Sequence, residues 1–236
     1  MSSKGKLFLI PSLLGDTGTE KAIPHYVINV LNGIDEFIVE DERTARRFLK
    51  KAGYTGPLDK LVLHRLNEHT RKEEIPSFLA SLENGKDIGL LSDAGSPGIA
   101  DPGADVVNLA HKRHIRVVPL VGASSLLLAL MASGFNGQSF CFHGYLPRDR
   151  AERAQRLKEL EKDAYRKDQT QLFIEAPYRN NQLLDDLLKS CDGKTRLCVA
   201  CDLTLPTELI RSETVSEWRK NVPDLNDRPA VFLIYK

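Results

Sequence analysis

Two α/β domains, the first built on a largely parallel sheet and the second on a mixed sheet, are predicted by the pattern of this chain. Three observations predict them. The first half repeats a short apolar run and a helix-like segment four times, which argues for strands joined by crossover helices. The segment 124–133 is apolar almost all round, and a helix of that kind is expected to be buried between two bodies. Five strand-like runs then follow, the last with no helix after it and the late ones close together, which suggests some antiparallel pairing. The expected domains are 1–118 and 119–236.

In chain order, the first strand is 7–10, four apolar residues behind a short polar lead, followed by a helix near 20–32. A strand at 37–39 leads into a helix at 43–51, and a strand at 61–64 into a helix at 71–84. A strand at 88–91 passes through a glycine- and proline-rich turn into a helix at 103–113. The strand at 117–119 opens the apolar helix. These strands are short and do not strictly alternate, as expected of a sheet covered on both faces. Beyond the apolar helix come a strand at 140–143, a charged amphipathic helix at 150–163 and a strand at 170–174. A helix after Pro177 carries Leu183, Leu184, Leu187 and Leu188, an i, i+1, i+4, i+5 core stripe. Strands at 196–201, 208–211 and 231–235 close the chain. Trp218 is placed as the anchor of a late helix, and a polar loop near 221–229 ends in Pro229.

Composition bounds the class. The 236 residues carry 33 basic and 32 acidic side chains, a net charge of +1, balanced in both halves, so any nucleic-acid binding must rest on a local patch. At 42% hydrophobic and 28% charged, this is the composition of a soluble globule. The longest apolar run, 126–132, is far short of a membrane span, and the run at 7–10 is too short for a secretory signal. Four cysteines, Cys141, Cys191, Cys198 and Cys201, do not make a disulfide framework, so a reduced, cytoplasmic setting is expected. Cys198 and Cys201, three apart in a strand, point to opposite faces and read as core residues. The six histidines show no metal-ligand spacing.

Three segments look chemical. The turn from Gly89 to Gly103 reads G-L-L-S-D-A-G-S-P-G-I-A-D-P-G. Glycine lets backbone approach a ligand closely and proline fixes the path, and the turn follows a strand at the end where open α/β sheets bind ligands. It is neither a dinucleotide fingerprint nor a P-loop. Next, Val121-Gly122-Ala123-Ser124-Ser125 opens the apolar helix, where Ser124 or Ser125 is placed to cap it and its free N–H groups to hold an anion such as a carboxylate. Finally, Glu175-Ala176-Pro177 delivers a carboxylate at a strand end. A basic stripe adds a fourth feature: Arg43, Arg46, Arg47, Lys50 and Lys51 fall on one helix face, suited to phosphate. Arg148, Arg150, Arg153 and Arg156 form a second basic cluster, and Lys112, Arg113 and Arg116 a third.

The segment S-D-A-G-S-P-G-I-A-D-P-G at 92–103 resembles the S-D-A-G-T-P-x-I-S-D-P-G loop of the tetrapyrrole-methylase superfamily, in the branch that methylates a cytidine ribose 2′-oxygen of small-subunit ribosomal RNA. Glu40-Asp41-Glu42-Arg43 resembles that branch's A-E-D-T-R. His64, Asn67 and Glu68 match three places of H-E-H-N-E, Val121-Gly122-Ala123-Ser124 resembles P-G-P-S, and Ala132-Ser133-Gly134-Phe135 and Gly144-Tyr145-Leu146-Pro147 resemble its S-G-L and G-F-L-P turns. Glu175-Ala176-Pro177-Tyr178-Arg179 resembles E-A-P-H-R. The ordered matches span residues 7–204. The first turn departs from A-T-P-I-G-N-L, Cys201-Asp202-Leu203-Thr204-Leu205 replaces R-E-L-T-K, and the chain stops at its last strand where the branch usually has a small C-terminal extension.

The resemblance implies a tetrapyrrole-methylase-like fold with S-adenosylmethionine in the cleft between two domains, a homodimer, an rRNA or small-ribosomal-subunit substrate, and no metal or membrane. It points to Pro11, Ser92, Asp93, Ala94, Gly95, Ser96, Ile99, Ala100, Ser124, Ser125, Ala176, Pro177 and Leu203 as cofactor-binding residues. Glu68 and Glu175 become candidate general bases, and Arg43, Arg46, Arg47 and Lys50 candidate RNA-binding residues. Two other functions are carried forward: methylation of a corrin or porphyrin, and a SAM- or nucleotide-binding regulator without turnover.

Overall fold

A computed structural model describes residues 4–236, which divide into two compact units, Met1–Ser124 and Ser125–Lys236. The first unit is a five-stranded sheet in the order β3-β2-β4-β1-β5, built from β1 (Lys6–Ile10), β2 (Glu36–Val39), β3 (Val62–Arg65), β4 (Ile88–Leu91) and β5 (Arg116–Pro119). Every pairing is parallel, so all five carboxyl ends open on one side. β2 and β4 are buried at every residue, as a strand covered on both faces requires. One core layer packs β1 and β2 against α1 (His25–Asn32) and α2 (Glu42–Lys51). The other packs the opposite face against α3 (Ile75–Phe78), α4 (Ala80–Glu83) and α5 (Gly103–Lys112). Gly89 lies in the middle: a Cβ there would sit 2.5 Å from the Phe37 ring.

Two helices differ from the sequence expectation. The segment expected as one helix near 20–32 is a 3-10 turn, Thr19–Lys21, and then α1, because Pro24 cannot continue a helix from the preceding turn. The segment expected at 71–84 is the two short turns α3 and α4, broken at Leu79.

The second unit begins with α6 (Ser125–Ser133) and holds β6 (Phe140–Tyr145), β7 (Thr170–Ile174), β8 (Arg196–Cys201), β9 (Leu209–Thr214) and β10 (Ala230–Tyr235), in the order β6-β7-β10-β8-β9. β6 and β7 are parallel; β10 runs antiparallel to both β7 and β8, and β9 antiparallel to β8, giving the mixed sheet. Consequently β6, β7 and β8 end on the same side. The helices α7 (Arg150–Lys167), α8 (Asn180–Ser190) and α9 (Val215–Trp218) cover one face, and the leucine stripe of α8 is buried there. Trp218 is fully buried and its indole N–H donates to Leu197 O at 2.8 Å, which fixes α9 as expected. Cys198 and Cys201 are free thiols buried in β8, and burial pushes them up to about 12 and about 11, the behaviour of inert core residues.

The apolar helix departs from expectation. Ala129 and Leu130 are buried, but Leu127 is 53% exposed and Met131 78% exposed. Within its own unit α6 packs on β8, β9 and β10, and a helix has only one side to offer a sheet.

Candidate functional site

In the first unit, the turns after β1, β4 and β5 interlock at the open side of the sheet, because these three strands are neighbours. Ser12 N–H donates to Gly95 O at 2.9 Å, and Ser96 Oγ donates to Ala123 O at 3.0 Å. A Cβ on Gly122 would lie 2.4 Å from the Pro11 side chain, so only glycine lets these two turns close. The expected residues Pro11, Ser92, Asp93, Ala94, Gly95, Ser96, Ile99, Ala100 and Ser124 are therefore brought to one end of one sheet.

The glycine–proline turn is held from inside by carboxylates. Asp101 accepts the N–H groups of Gly98, at 2.8 Å, and Gly103, at 2.7 Å. Glu40, at the end of β2, accepts the N–H of Asp93 at 2.9 Å. Ser92 Oγ closes back on Ala94 O at 3.0 Å. Between these ties Gly98 takes φ +81 and Ala100 φ +60, so the backbone of 98–100 is turned outward. No atom lies within 4 Å of where a Gly98 Cβ would be, and Ile99 is 52% exposed. Burial pushes Asp101 up from the usual carboxylate range, and burial with the Asp93 and Asp101 charges pushes Glu40 up. Glu40 and Asp101 are the positioning residues that the sequence reading left out of its site. Their signal was present in E-D-E-R and in the Asp–Pro–Gly end of the turn, but their targets are backbone N–H groups that a sequence does not display.

In the second unit, Ala176 and Pro177 follow β7, and Leu203 follows β8, at one end of the mixed sheet. Glu175 is buried, accepts the Ala176 N–H at 2.7 Å and pairs with Arg179. Asp202 and Thr204 take left-handed backbone, φ +51 and +74, around the buried Leu203. Arg228 holds that turn, donating to Asp202 Oδ2 at 2.8 Å and Thr207 O at 2.7 Å. Ser125 is the first residue of α6.

Five buried side-chain polar atoms lack a hydrogen-bond partner among the described residues. Four of them, Ser12 Oγ, Arg179 Nε, Asn180 Oδ1 and Thr204 Oγ1, lie just beyond the carboxyl ends of β1, β7 and β8. Leaving such an atom unpaired costs roughly 1–3 kcal/mol. Ser12 Oγ belongs to the first unit and the other three to the second, so each unit by itself leaves buried polar groups unpaired at the carboxyl ends of its strands, where a polar ligand would find partners.

The remaining expected residues separate. Glu68 stands in the turn after β3, its side chain 87% exposed beside His69. His64 has a structural role: it bonds the buried Glu36 at 2.9 Å and stacks on Phe78. On α2, Arg43, Arg47 and Lys50 are exposed, whereas Arg46 donates to Leu58 O and pairs with Glu42, and Lys51 pairs with Asp16. In the second basic cluster three of the four arginines are engaged by carboxylates, and Arg148 is exposed. Arg153 is buried against Asp186, Arg150 pairs with Asp185 and Asp186, and Arg156 pairs with Glu159. Among the described residues no group of three or more His, Cys, Asp and Glu side chains is placed to hold a metal ion.

Residues 17–218 match the sequence pattern of the Tetrapyrrole (Corrin/Porphyrin) Methylases. The chain is 34% identical over 215 residues to the ribosomal RNA small subunit methyltransferase I of Pseudomonas aeruginosa, covering 91% of this chain and 72% of that protein. Its identity to the protein of the same name from Escherichia coli O157:H7 is 31% over 216 residues, covering 92% and 71%. Among solved structures, the methyltransferase CobJ shares the fold at a TM-score of 0.65 and 19% identity, over 98% of this chain and 94% of that one. A uroporphyrin III C-methyltransferase from Thermus thermophilus does so at 0.58 and 14%, over 98% of each.

Proposed function

Because this chain belongs to the tetrapyrrole (corrin/porphyrin) methylase family and is a methyltransferase, we propose that it carries a methyl group from S-adenosylmethionine to a ribose 2′-hydroxyl of small-subunit ribosomal RNA. The observation that carries the reading is that each unit leaves buried polar atoms unpaired at its strand ends, where in the first unit the glycine loop also stands exposed. The RNA part rests on identity: relatives at 31% and 34% over most of this chain carry an rRNA methyltransferase name, while CobJ and the uroporphyrin III C-methyltransferase, alike in fold, stand at 19% and 14%. Membership of a methyltransferase family sets aside the regulator without turnover. We further propose a homodimer, which sedimentation tests, and a cytoplasmic setting. No helix among the described residues is long and apolar enough to cross a membrane.

When bound, S-adenosylmethionine supplies an electrophilic methyl group on a positively charged sulfur. In the first unit the donor-binding residues are proposed to be Pro11, the backbone of 92–100 and Ser124; in the second, Ser125, Ala176, Pro177 and Leu203 are proposed likewise. Exposed carbonyls of a glycine turn suit a sulfonium, and N–H groups suit the amino-acid carboxylate. Holding nucleophile and methyl in line supplies roughly 7–11 kcal/mol of the barrier. A hydroxyl needs a base. Of the two expected carboxylates, Glu68 is free to meet a substrate, and Glu175 is already engaged by Arg179 and the Ala176 N–H, so it acts by positioning. Labelled-methyl transfer to small ribosomal subunits, naked rRNA and a tetrapyrrole panel tests the assignment: incorporation into rRNA ribose is expected, and transfer to a tetrapyrrole alone overturns it. In the same assay Glu68→Gln is expected to lower kcat about 100-fold, with the affinity for S-adenosylhomocysteine kept.

The RNA-facing residues are proposed to be Arg43, Arg47 and Lys50, with Arg46 holding the helix in place through Leu58 and Glu42. Arg43→Ala/Arg47→Ala/Lys50→Ala is expected to reduce the slope of log affinity against log salt by about 2 for single-stranded RNA, at roughly 0.7 per phosphate contact. An unchanged slope would return this helix face to ordinary solvent.

A further inference from the structure

We propose that Tyr145, Tyr178 and Arg179 form a stacking platform for an unpaired nucleobase of the RNA substrate, an inference that rests on the RNA reading above. Both tyrosines are strongly exposed, Tyr145 at 59% and Tyr178 at 64%. They stand at the carboxyl ends of adjacent strands. The pairing of β6 with β7 runs from Phe142 opposite Leu172 to Tyr145 opposite Ile174, so β6 carries one extra residue there. Gly144, at φ +64, absorbs that bulge, and a bulge re-aims the side chain that follows it. Tyr145 is thereby placed opposite the residue before Glu175, and Tyr178 follows in the 3-10 turn Pro177–Arg179.

Arg179 orders the group. Its guanidinium carbon is 5.1 Å from the Tyr178 ring centroid, and Nη1 donates to the Tyr178 phenol oxygen at 3.1 Å. The guanidinium is held from within by the buried Glu175. Tyr178 is therefore an exposed aromatic ring whose orientation is set in advance, at little entropy cost on binding. The core does not need either ring, since both lie outside its packed cluster. Flat rings beside an anchored guanidinium match a base with its phosphate: every base has a π-face, and arginine serves both stacking and phosphate. Single-stranded RNA is read in this way, by bases splayed onto aromatic side chains.

The test uses the full chain, a labelled single-stranded oligoribonucleotide, the same strand in a duplex, and S-adenosylhomocysteine. Tyr145→Ala and Tyr178→Ala are each expected to weaken single-strand binding about tenfold, without changing the salt slope, because no phosphate contact is removed. Tyr178→Phe, which keeps the ring, is expected to restore most of that affinity. Alanine variants that bind the single strand like the parent overturn the proposal. So does an equal loss on the duplex, whose bases are stacked away, or a loss confined to S-adenosylhomocysteine, which would assign the rings to the adenine of the cofactor. A parent protein that binds S-adenosylhomocysteine but no RNA overturns the RNA reading itself, an outcome distinct from failure of the platform alone.

Discussion

Arg153→Ala is expected to destabilise the protein by about 3–5 kcal/mol, the cost of leaving a buried charge without its partner. Arg153, in the first turns of α7, and Asp186, on α8, are both almost fully buried. The guanidinium donates to Asp186 Oδ2 from Nε at 2.8 Å and from Nη2 at 2.5 Å. Its remaining Nη1 donates to Pro147 O at 3.0 Å and Arg148 O at 2.9 Å, tying the turn before α7 to the helix. Removing the arginine strips the Asp186 carboxylate of its buried partner and frees two carbonyls, leaving Asp186 only the half-exposed Arg150. Urea unfolding should show the loss as a lower midpoint. The double change Arg153→Met/Asp186→Leu should recover most of it, since an apolar pair of similar volume replaces the charges. The recovery should be incomplete, because the carbonyls of Pro147 and Arg148 stay unpaired. A single variant as stable as the parent would show that this pair contributes nothing net.

Asp101→Ala is expected to weaken S-adenosylhomocysteine binding about thirtyfold while the protein stays folded. The Asp101 carboxylate gathers the N–H groups of Gly98 and Gly103, and with them the outward turn at 98–100. Hydrogen bonds to a charged acceptor contribute roughly 1.5–3 kcal/mol each. Water replaces part of this at a half-exposed loop, which leaves about 2 kcal/mol, or some thirtyfold in affinity. The same carboxylates set a pH dependence. Burial raises Asp101 and Glu40, so both take up a proton above the usual carboxylate range, and a protonated carboxyl accepts an N–H less well. Affinity should therefore fall on acidification in a window that begins above that range, and Glu40→Gln should shift this acid limb. For folding the sign is reversed. A raised acid contributes stability that is fully present below its unfolded pKa and is lost as pH rises through its folded pKa. Calorimetric titration across pH separates the two. Affinity that is flat with pH and unaltered by Asp101→Ala would remove the loop from donor binding.

Much of this architecture was legible before any coordinates. The strands at 7–10, 37–39, 88–91, 170–174, 196–201 and 231–235 are found within a residue or so of their expected ends. The parallel first sheet follows from alternating strands and helices, and the mixed second sheet from closely spaced late strands. The 92–103 turn stood out because glycine and proline announce backbone geometry directly. Less legible were the breaks at Pro24 and Leu79, which split two expected helices, and the face of α6 that carries Leu127 and Met131.

Residue types and their spacing were enough to establish the elements, the two sheets and the family, because those signals arise from backbone sterics and from neighbours a few positions away. The uses of the charges were settled by folding. Arg150 and Arg153 looked like phosphate ligands until Asp185 and Asp186, more than thirty positions further along, paired with them. Glu175 looked like a free base, yet it holds Arg179, while Glu68 is the carboxylate left exposed. A side chain's chemistry depends on what desolvates and pairs it, and those partners are chosen by packing in space rather than by order along the chain.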